Sequence, residues 1–187
     1  MTMKSAVAAL WLGAAAAWAQ PAAQLVPAGS EIVFTTRQMG VPVEGRFGRF
    51  TATIALDPKQ PQTGRVAFTI DTASARFGTA ELDAEVGKPA WLSSAKFPQA
   101  SFASSAIKAT APGRFEVAGK LTIKGASKDL VVPVQVQPAG ANQVATGSFT
   151  LKRLDFKVGE GEWTDTSMLA DDVAVKFRLV LAGLPAP

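Results

Sequence analysis

The sequence of 187 residues contains no cysteine, no histidine and no tyrosine. Without cysteine there is no disulfide, no thiol nucleophile and no thiolate metal site. Without histidine there is no Ser-His or Cys-His catalytic pair and no imidazole base or ligand. Catalysis would have to rest on Asp, Glu, Lys or Ser. Charge is also sparse: 19 Lys and Arg against 15 Asp and Glu leave a net charge of +4. The basic residues form no block and do not interleave with aromatics, which argues against nucleic-acid binding. They scatter over strand-like faces, as a solvated surface requires.

The N-terminus reads as a targeting segment. Lys4 supplies the positive start, Ala6 to Ala17 is almost wholly apolar, and Ala17-Trp18-Ala19 gives a small-x-small cleavage pattern. The apolar run falls short of the roughly 20 residues of a membrane span. Residues 1–19 are therefore expected to be a cleaved secretory signal, with the mature chain starting at Gln20; a short uncleaved anchor is the alternative. With no cysteine, no lipoprotein acylation site can follow cleavage. A domain of this size needs no disulfide to hold its core.

The pattern is clearest from Arg114 to Gln137. Phe115, Val117, Gly119, Leu121 and Ile123 alternate with more polar residues, the mark of a half-buried strand. A polar break at Gly125 to Lys128 precedes a second alternation of Leu130, Val132, Val134 and Val136, which predicts a hairpin. Pro133 cannot donate to a ladder and marks an edge or locally unpaired position. Residues 20–30 read as a loose Pro/Ala-rich lead-in to a single domain over residues 31–182. Further strands are expected at Glu31 to Gln38, Val43 to Leu56, Gly64 to Asp71, Ala100 to Ala109, Val144 to Phe156 and Asp172 to Leu181. Gly45 and Gly48 suggest a bend in the second of these. Glu81 to Val86 has helical spacing and is stopped by Gly87-Lys88-Pro89. About eight strands and one short helical insert predict an all-β fold, an antiparallel barrel or sandwich.

Order and spacing of Gly45-Arg46-Phe47, Phe97-Pro98 with Ser101-Phe102, Gly119 to Gly125, and Arg153-Leu154-Asp155-Phe156 resemble the YceI family of periplasmic proteins. The resemblance spans about Ser30 to Leu181. It implies an extended, eight-stranded, lipocalin-like antiparallel barrel around an apolar pocket. It further implies a non-enzymatic, periplasmic carrier that holds a polyisoprenoid or other long-chain amphiphile, such as an isoprenoid quinone. No catalytic motif, metal or covalent cofactor comes with it. Two positions depart from the family pattern: Gln38 stands where many members have His, and Lys157 where many have Gly.

Eight strands enclose room for packed side chains or one small ligand. The expected pocket lining is Phe34, Phe47, Phe50, Ile54, Phe68, Ile70, Phe102, Leu121, Ile123, Phe149, Leu151 and Phe177 from strands. Leu82, Trp91, Leu92 and Phe97 join it from the insert, which is placed over the pocket mouth. The same phenylalanines would equally serve as plain core. Trp91 is expected to sense a ligand, and Trp163, in the acidic loop Glu160 to Asp165, to sit in a wetter place apart from it. Two other readings remain. Glu160, Glu162, Asp165, Asp171 and Asp172 are numerous enough for a carboxylate-based hydrolase, which needs one acid with a raised pKa. Lys120, Lys124 and Lys128 form a basic hairpin tip, suited to an interaction module or to transient contact with an anionic membrane surface.

Overall fold

The alternation from Arg114 to Gln137 becomes two strands with one buried face. In the computed structural model, which describes residues 22–187, these are β7 (Arg114–Ile123) and β8 (Ala126–Ala139). Phe115, Val117, Leu121, Val132 and Val136 are buried, and their polar neighbours point outward. The turn is shorter than the polar residues suggest. Ile123 pairs with Ala126, leaving only Lys124 and Gly125 in the loop. Both have positive φ, the signature of the tight hairpin turns whose twist matches that of strands.

The other strands are β1 (Gln24–Gln38), β2 (Val41–Phe47), β3 (Phe50–Ala55), β4 (Arg65–Asp71), β5 (Ala75–Arg76), β6 (Gln99–Ala111), β9 (Asn142–Lys152) and β10 (Asp172–Ala182). They form one antiparallel sheet in the order β3-β4-β6-β7-β8-β9-β10-β1-β2-β5. The expected strand from Val43 to Leu56 is broken at Gly48-Arg49, where the Gly48 N–H turns to the Ser74 carbonyl at 3.0 Å. Counting β2 and β3 as one bent course, and β5 as a two-residue annex, gives the expected eight strands. The Ala23 N–H bonds to the Ile54 carbonyl at 2.7 Å and brings the two sides of the curled sheet together.

The lead-in expected at residues 20–30 is not loose. From Gln24 onward it belongs to β1, pairing with β10 through Gln24–Ala182, Leu25–Leu181 and Val26–Val180. Alternation is hidden there because Pro27, Ala28, Gly29 and Ser30 bulge out of register. The Ser30 hydroxyl holds the bulge, donating to the Val26 carbonyl and accepting from the Val180 N–H. The expected signal at residues 1–19 lies outside the described residues.

Two further boundaries move. β9 stops at Lys152, and Arg153–Phe156 is a 3-10 turn. Its start is held by Asp171, which accepts from the Arg153 N–H through its carbonyl and from the Leu154 N–H through its carboxylate. Lys157 ends the turn in the left-handed region, at φ 57, which accounts for a position where glycine is common. Pro133 behaves as its missing N–H requires. The β8–β9 ladder begins only at Val134–Gly147, so Ala126 to Pro133 pair with β7 alone.

The insert contains α1 (Ala80–Glu85). The Thr79 hydroxyl caps it by accepting from the Leu82 N–H, and Glu81 and Asp83 complement its N-terminal dipole. Trp91 and Leu92 follow on a chain of tight turns pinned by bonds such as Trp91 N–H to Lys88 O and Leu92 N–H to Val86 O.

Candidate ligand-binding site

Three glycines on inward-facing strand positions make room for aromatic rings. A Cβ on Gly119 would lie 2.5 Å from the Ala103 carbonyl and meet the Phe102 ring; one on Gly147 would lie 2.6 Å from the Pro133 carbonyl and meet the Phe177 ring. Gly45 is covered by the Phe34 ring in the same way. The rings occupy the places where side chains at these three positions would stand.

The interior holds two adjoining cavities. The lower one, about 130 Å³, is lined only by apolar side chains. Ile54, Phe68, Ile70, Phe102, Leu121, Phe149 and Phe177 belong to it, together with Ile107, Phe115 and Val132. Leu184, beyond β10, closes its floor within the buried cluster of Phe115, Val136, Leu179 and Leu181. The upper cavity, about 230 Å³, lies at the end carrying the β1–β2 and β7–β8 turns. Phe34, Phe47, Leu82, Trp91, Leu92, Ile123 and Leu151 line it. Val175 lines both, so the cavities meet there. Many of the inward-facing side chains, Phe68, Phe149 and Phe177 among them, are only half-buried because they face a void.

Two residues expected in the lining are elsewhere. Phe50 lines neither cavity and packs against the buried cluster at the barrel wall. Phe97 also lies outside: its ring covers the Gly125 turn, and the Lys96 ammonium sits 5.3 Å from its centroid. Its carbonyl accepts from the buried Thr72 hydroxyl, which holds the segment against the strand ends rather than over the mouth.

The upper cavity has polar members. Gln38, Thr36, Glu85 and Arg153 all reach its wall. Arg153 is 3% exposed, and its five N–H groups all donate to backbone carbonyls, of Ala170, Val158, Gly159, Trp163 and Leu169, at 2.5 to 3.0 Å. One guanidinium thus ties the loop from Val158 to Ala170 over the barrel end. Burial pulls its pKa down and Asp171 partly restores it, but an arginine stays charged throughout the physiological range. The sequence carries a signal for this inward position, because Arg153 continues the alternating series Phe149, Leu151. Phe77, Val86, Phe156, Val158, Trp163 and Leu169 also line the upper cavity, and no alternation in the sequence marks them for it.

The two indoles are not apart. The Trp91 and Trp163 rings are 5.2 Å between centroids, and both line the upper cavity. The acidic loop is drawn inward because Arg153 binds the Trp163 carbonyl and because Lys124 bonds to Glu160 at 2.6 Å. The Trp91 N–H donates to Glu85 at 3.3 Å. Glu85 also pairs with Lys88, which holds its carboxyl below the usual glutamate range.

The basic tip is already neutralised. Lys120 pairs with Asp129, Lys124 with Glu160 and Lys128 with Asp155. The acids of the loop are similarly occupied: Asp165 receives the Ser167 hydroxyl and N–H, and Asp172 pairs with Lys152. Glu160, beside Lys124, and Asp165, beside Ser167, both have their carboxyls held below the usual range. Among the described residues no group of three or more Asp or Glu could hold a metal ion.

Residues 24–181 match the model of the YceI-like domain. A UPF0312 protein of Ectopseudomonas mendocina is 28% identical over 168 residues, covering 83% of this chain and 88% of its own. The crystal structure of Burkholderia cenocepacia BcnA is 41% identical, covers 83% of this chain and 98% of that one, and superposes with a TM-score of 0.80. A polyisoprenoid binding domain from Saccharophagus degradans, implicated in plant cell wall breakdown, shares the fold with a TM-score of 0.69 at 16% identity, covering 88% of this chain and 98% of its own. With the family model spanning nearly the whole barrel, the chain belongs to the YceI-like domain family.

Proposed function

We propose that this protein is a non-enzymatic carrier that holds an isoprenoid lipid, an isoprenoid quinone or another long-chain amphiphile inside the barrel. One observation carries the reading: two cavities meet at Val175, the lower wholly apolar and the upper bordered by Gln38, Thr36, Glu85 and Arg153. That polarity gradient suits a tail below and a head group at the mouth. Gln38 is the candidate head-group contact, because the Arg153 donors are all engaged by carbonyls. The shared fold with a polyisoprenoid binding domain supports the same ligand class.

Burying each CH₂ contributes roughly 0.8 kcal/mol before the cost of ordering the chain. Affinity is expected to climb with tail length and then level off. A Val175→Trp substitution, placed at the junction, should abolish that climb while leaving short-tailed analogues bound. An affinity that follows the head group and ignores the tail in the unaltered protein would overturn the reading. Native mass spectrometry with solvent extraction of co-purifying lipid identifies the occupant.

A carboxylate hydrolase is less well supported. Glu85 faces the upper cavity, but Lys88 and the Trp91 N–H stabilise its charged form, the opposite of a general acid's requirement. The N-terminal pattern supports a periplasmic location, with cleavage after Ala19. N-terminal sequencing of periplasmic protein should start at Gln20; intact Met1 in the membrane fraction would indicate an anchored form.

A further inference from the structure

Large apolar side chains that remain exposed are few and unevenly placed. Among the described residues they are Met39 (70%), Val41 (63%), Val131 (56%), Met168 (45%) and Leu82 (43%). Four of these, all but Val131, ring the mouth of the upper cavity. Met39 lies in the β1–β2 turn and Val41 opens β2, between Gln38 and Val43, both of which line the cavity. Met168 precedes Leu169, another lining residue, and Leu82 is itself in the lining. The Met39 N–H donates to the Met168 carbonyl at 2.8 Å, which holds the two chain segments that carry these methionines side by side. Val131, on β8, is paired with Ala118 at mid-strand, back from the β7–β8 turn that edges the mouth.

We propose that this rim of Met39, Val41, Leu82 and Met168 docks on a lipid bilayer surface and sets the cavity mouth against it. A bilayer fits better than a protein for two reasons. Four side chains on separate tips cannot supply the about 800 Å² per partner that stable protein–protein interfaces need. They also surround an opening instead of forming a flat patch, and flexible methionine suits a fluid, unshaped partner. Arg37, one residue before Gln38, is exposed, donates to the Gly40 carbonyl and makes no ion pair among the described residues, so it adds a cation beside the head groups. The inference rests on the carrier reading, since a ligand insoluble in water has to be exchanged where its mouth meets lipid.

The test is co-sedimentation with phosphatidylethanolamine and phosphatidylglycerol vesicles containing no isoprenoid, so failure of the carrier reading leaves the readout intact. The unaltered protein should pellet with vesicles. The double substitution Met39→Glu, Met168→Glu should lower partition at least tenfold. Met39→Leu, Met168→Leu should retain it. Val131→Glu serves as the distant control and should leave partition unchanged. Every position changed is on the surface, and thermal melts confirm that each variant folds. Absence of pelleting by the unaltered protein would overturn the proposal. So would an equal loss in Val131→Glu, or a concentration-dependent dimer in sedimentation velocity that the Met39→Glu, Met168→Glu variant abolishes, which would make the rim a contact between copies.

Discussion

In the lower half of the interior the wall is a set of apolar side chains, nearly all on strands, spaced two apart. At the mouth the wall comes from one helix turn, strand ends and two loops, and it includes a buried arginine and two indoles in contact. The lower half is held by burial of many interchangeable groups, each contributing at most about 1.5–3 kcal/mol where burial is complete. The mouth depends on particular bonds converging on Arg153 and on the Lys124–Glu160 pair. The lower half therefore tolerates volume-conserving change, whereas single substitutions can dismantle the mouth.

The largest expected effect follows from removing Arg153. Arg153→Met leaves the carbonyls of Val158, Gly159, Trp163 and Leu169 without their side-chain donor and that of Ala170 with only the long Thr36 bond, and a loss of about 3–5 kcal/mol is expected from such a buried network. Urea denaturation gives the magnitude. Hydrogen exchange gives the location: amides of residues 157–170 should exchange much faster than those of β7. A uniform acceleration throughout would show that mouth and lower barrel unfold as one unit.

Gly119→Ala probes the other half. Its Cβ would press on the Ala103 carbonyl, a backbone atom that cannot swing away. A destabilisation of about 1–3 kcal/mol is expected, typical of an overpacked interior. Displacing the Phe102 ring should also shrink the lower cavity, so long tails should lose more affinity than short ones. Equal losses for both would place the tail elsewhere.

The indoles report on the mouth. Because Trp91 and Trp163 touch, a ligand should alter the fluorescence of Trp91→Phe and of Trp163→Phe, each retaining part of the response. Trp91→Ala should weaken binding about tenfold, about 1.4 kcal/mol, mainly through faster release. A response confined to one variant would mean the pair separates when the ligand enters.

The smallest effect concerns acid. Lys124 lowers the Glu160 pKa, so this pair's stabilisation is fully present above about pH 4.3, the ordinary glutamate value. It is lost as pH falls through the lower folded value. Protection of the residue 157–170 amides, measured against those of β7, should therefore fall on acidification below that point. Lys124→Met should remove that dependence. An unchanged profile in Lys124→Met would assign the acid response to other carboxylates.

The difference between the two halves also decides how much is legible in the residue order. In the lower half, Val66, Phe68 and Ile70, or Val175 and Phe177, announce their facing by alternation, and the cavity wall follows from it. The bulge at residues 27–30 conceals a strand because its pairing is set by the Ser30 hydroxyl and by β10, which lies at the far end of the sequence. The place of Trp163 beside Trp91 depends on a bond from Arg153 to its carbonyl, and no local period encodes that. The insert is recognisable as a helix with a stop, yet Phe97 points to the hairpin turn because Thr72 holds its carbonyl.

The pairing of β1 with β10 has a kinetic consequence. Gln24 lies opposite Ala182, so the first strand, although it can pair early with β2, finds its second partner only when the last strand has been made. Until then β7, β8 and β9 can zip up through short turns, while the interior stays open along one side. Contacts this distant in sequence close slowly because loop entropy has to be overcome before they form. Barrel closure is therefore expected to be the late, rate-limiting event. A circular permutant that links Ala182 to Gln24 and opens the chain at the Gly140 turn would make β10 and β1 sequence neighbours and move the distant pairing to β8 and β9, so formation of the β8–β9 ladder should become the slow step in place of β1–β10.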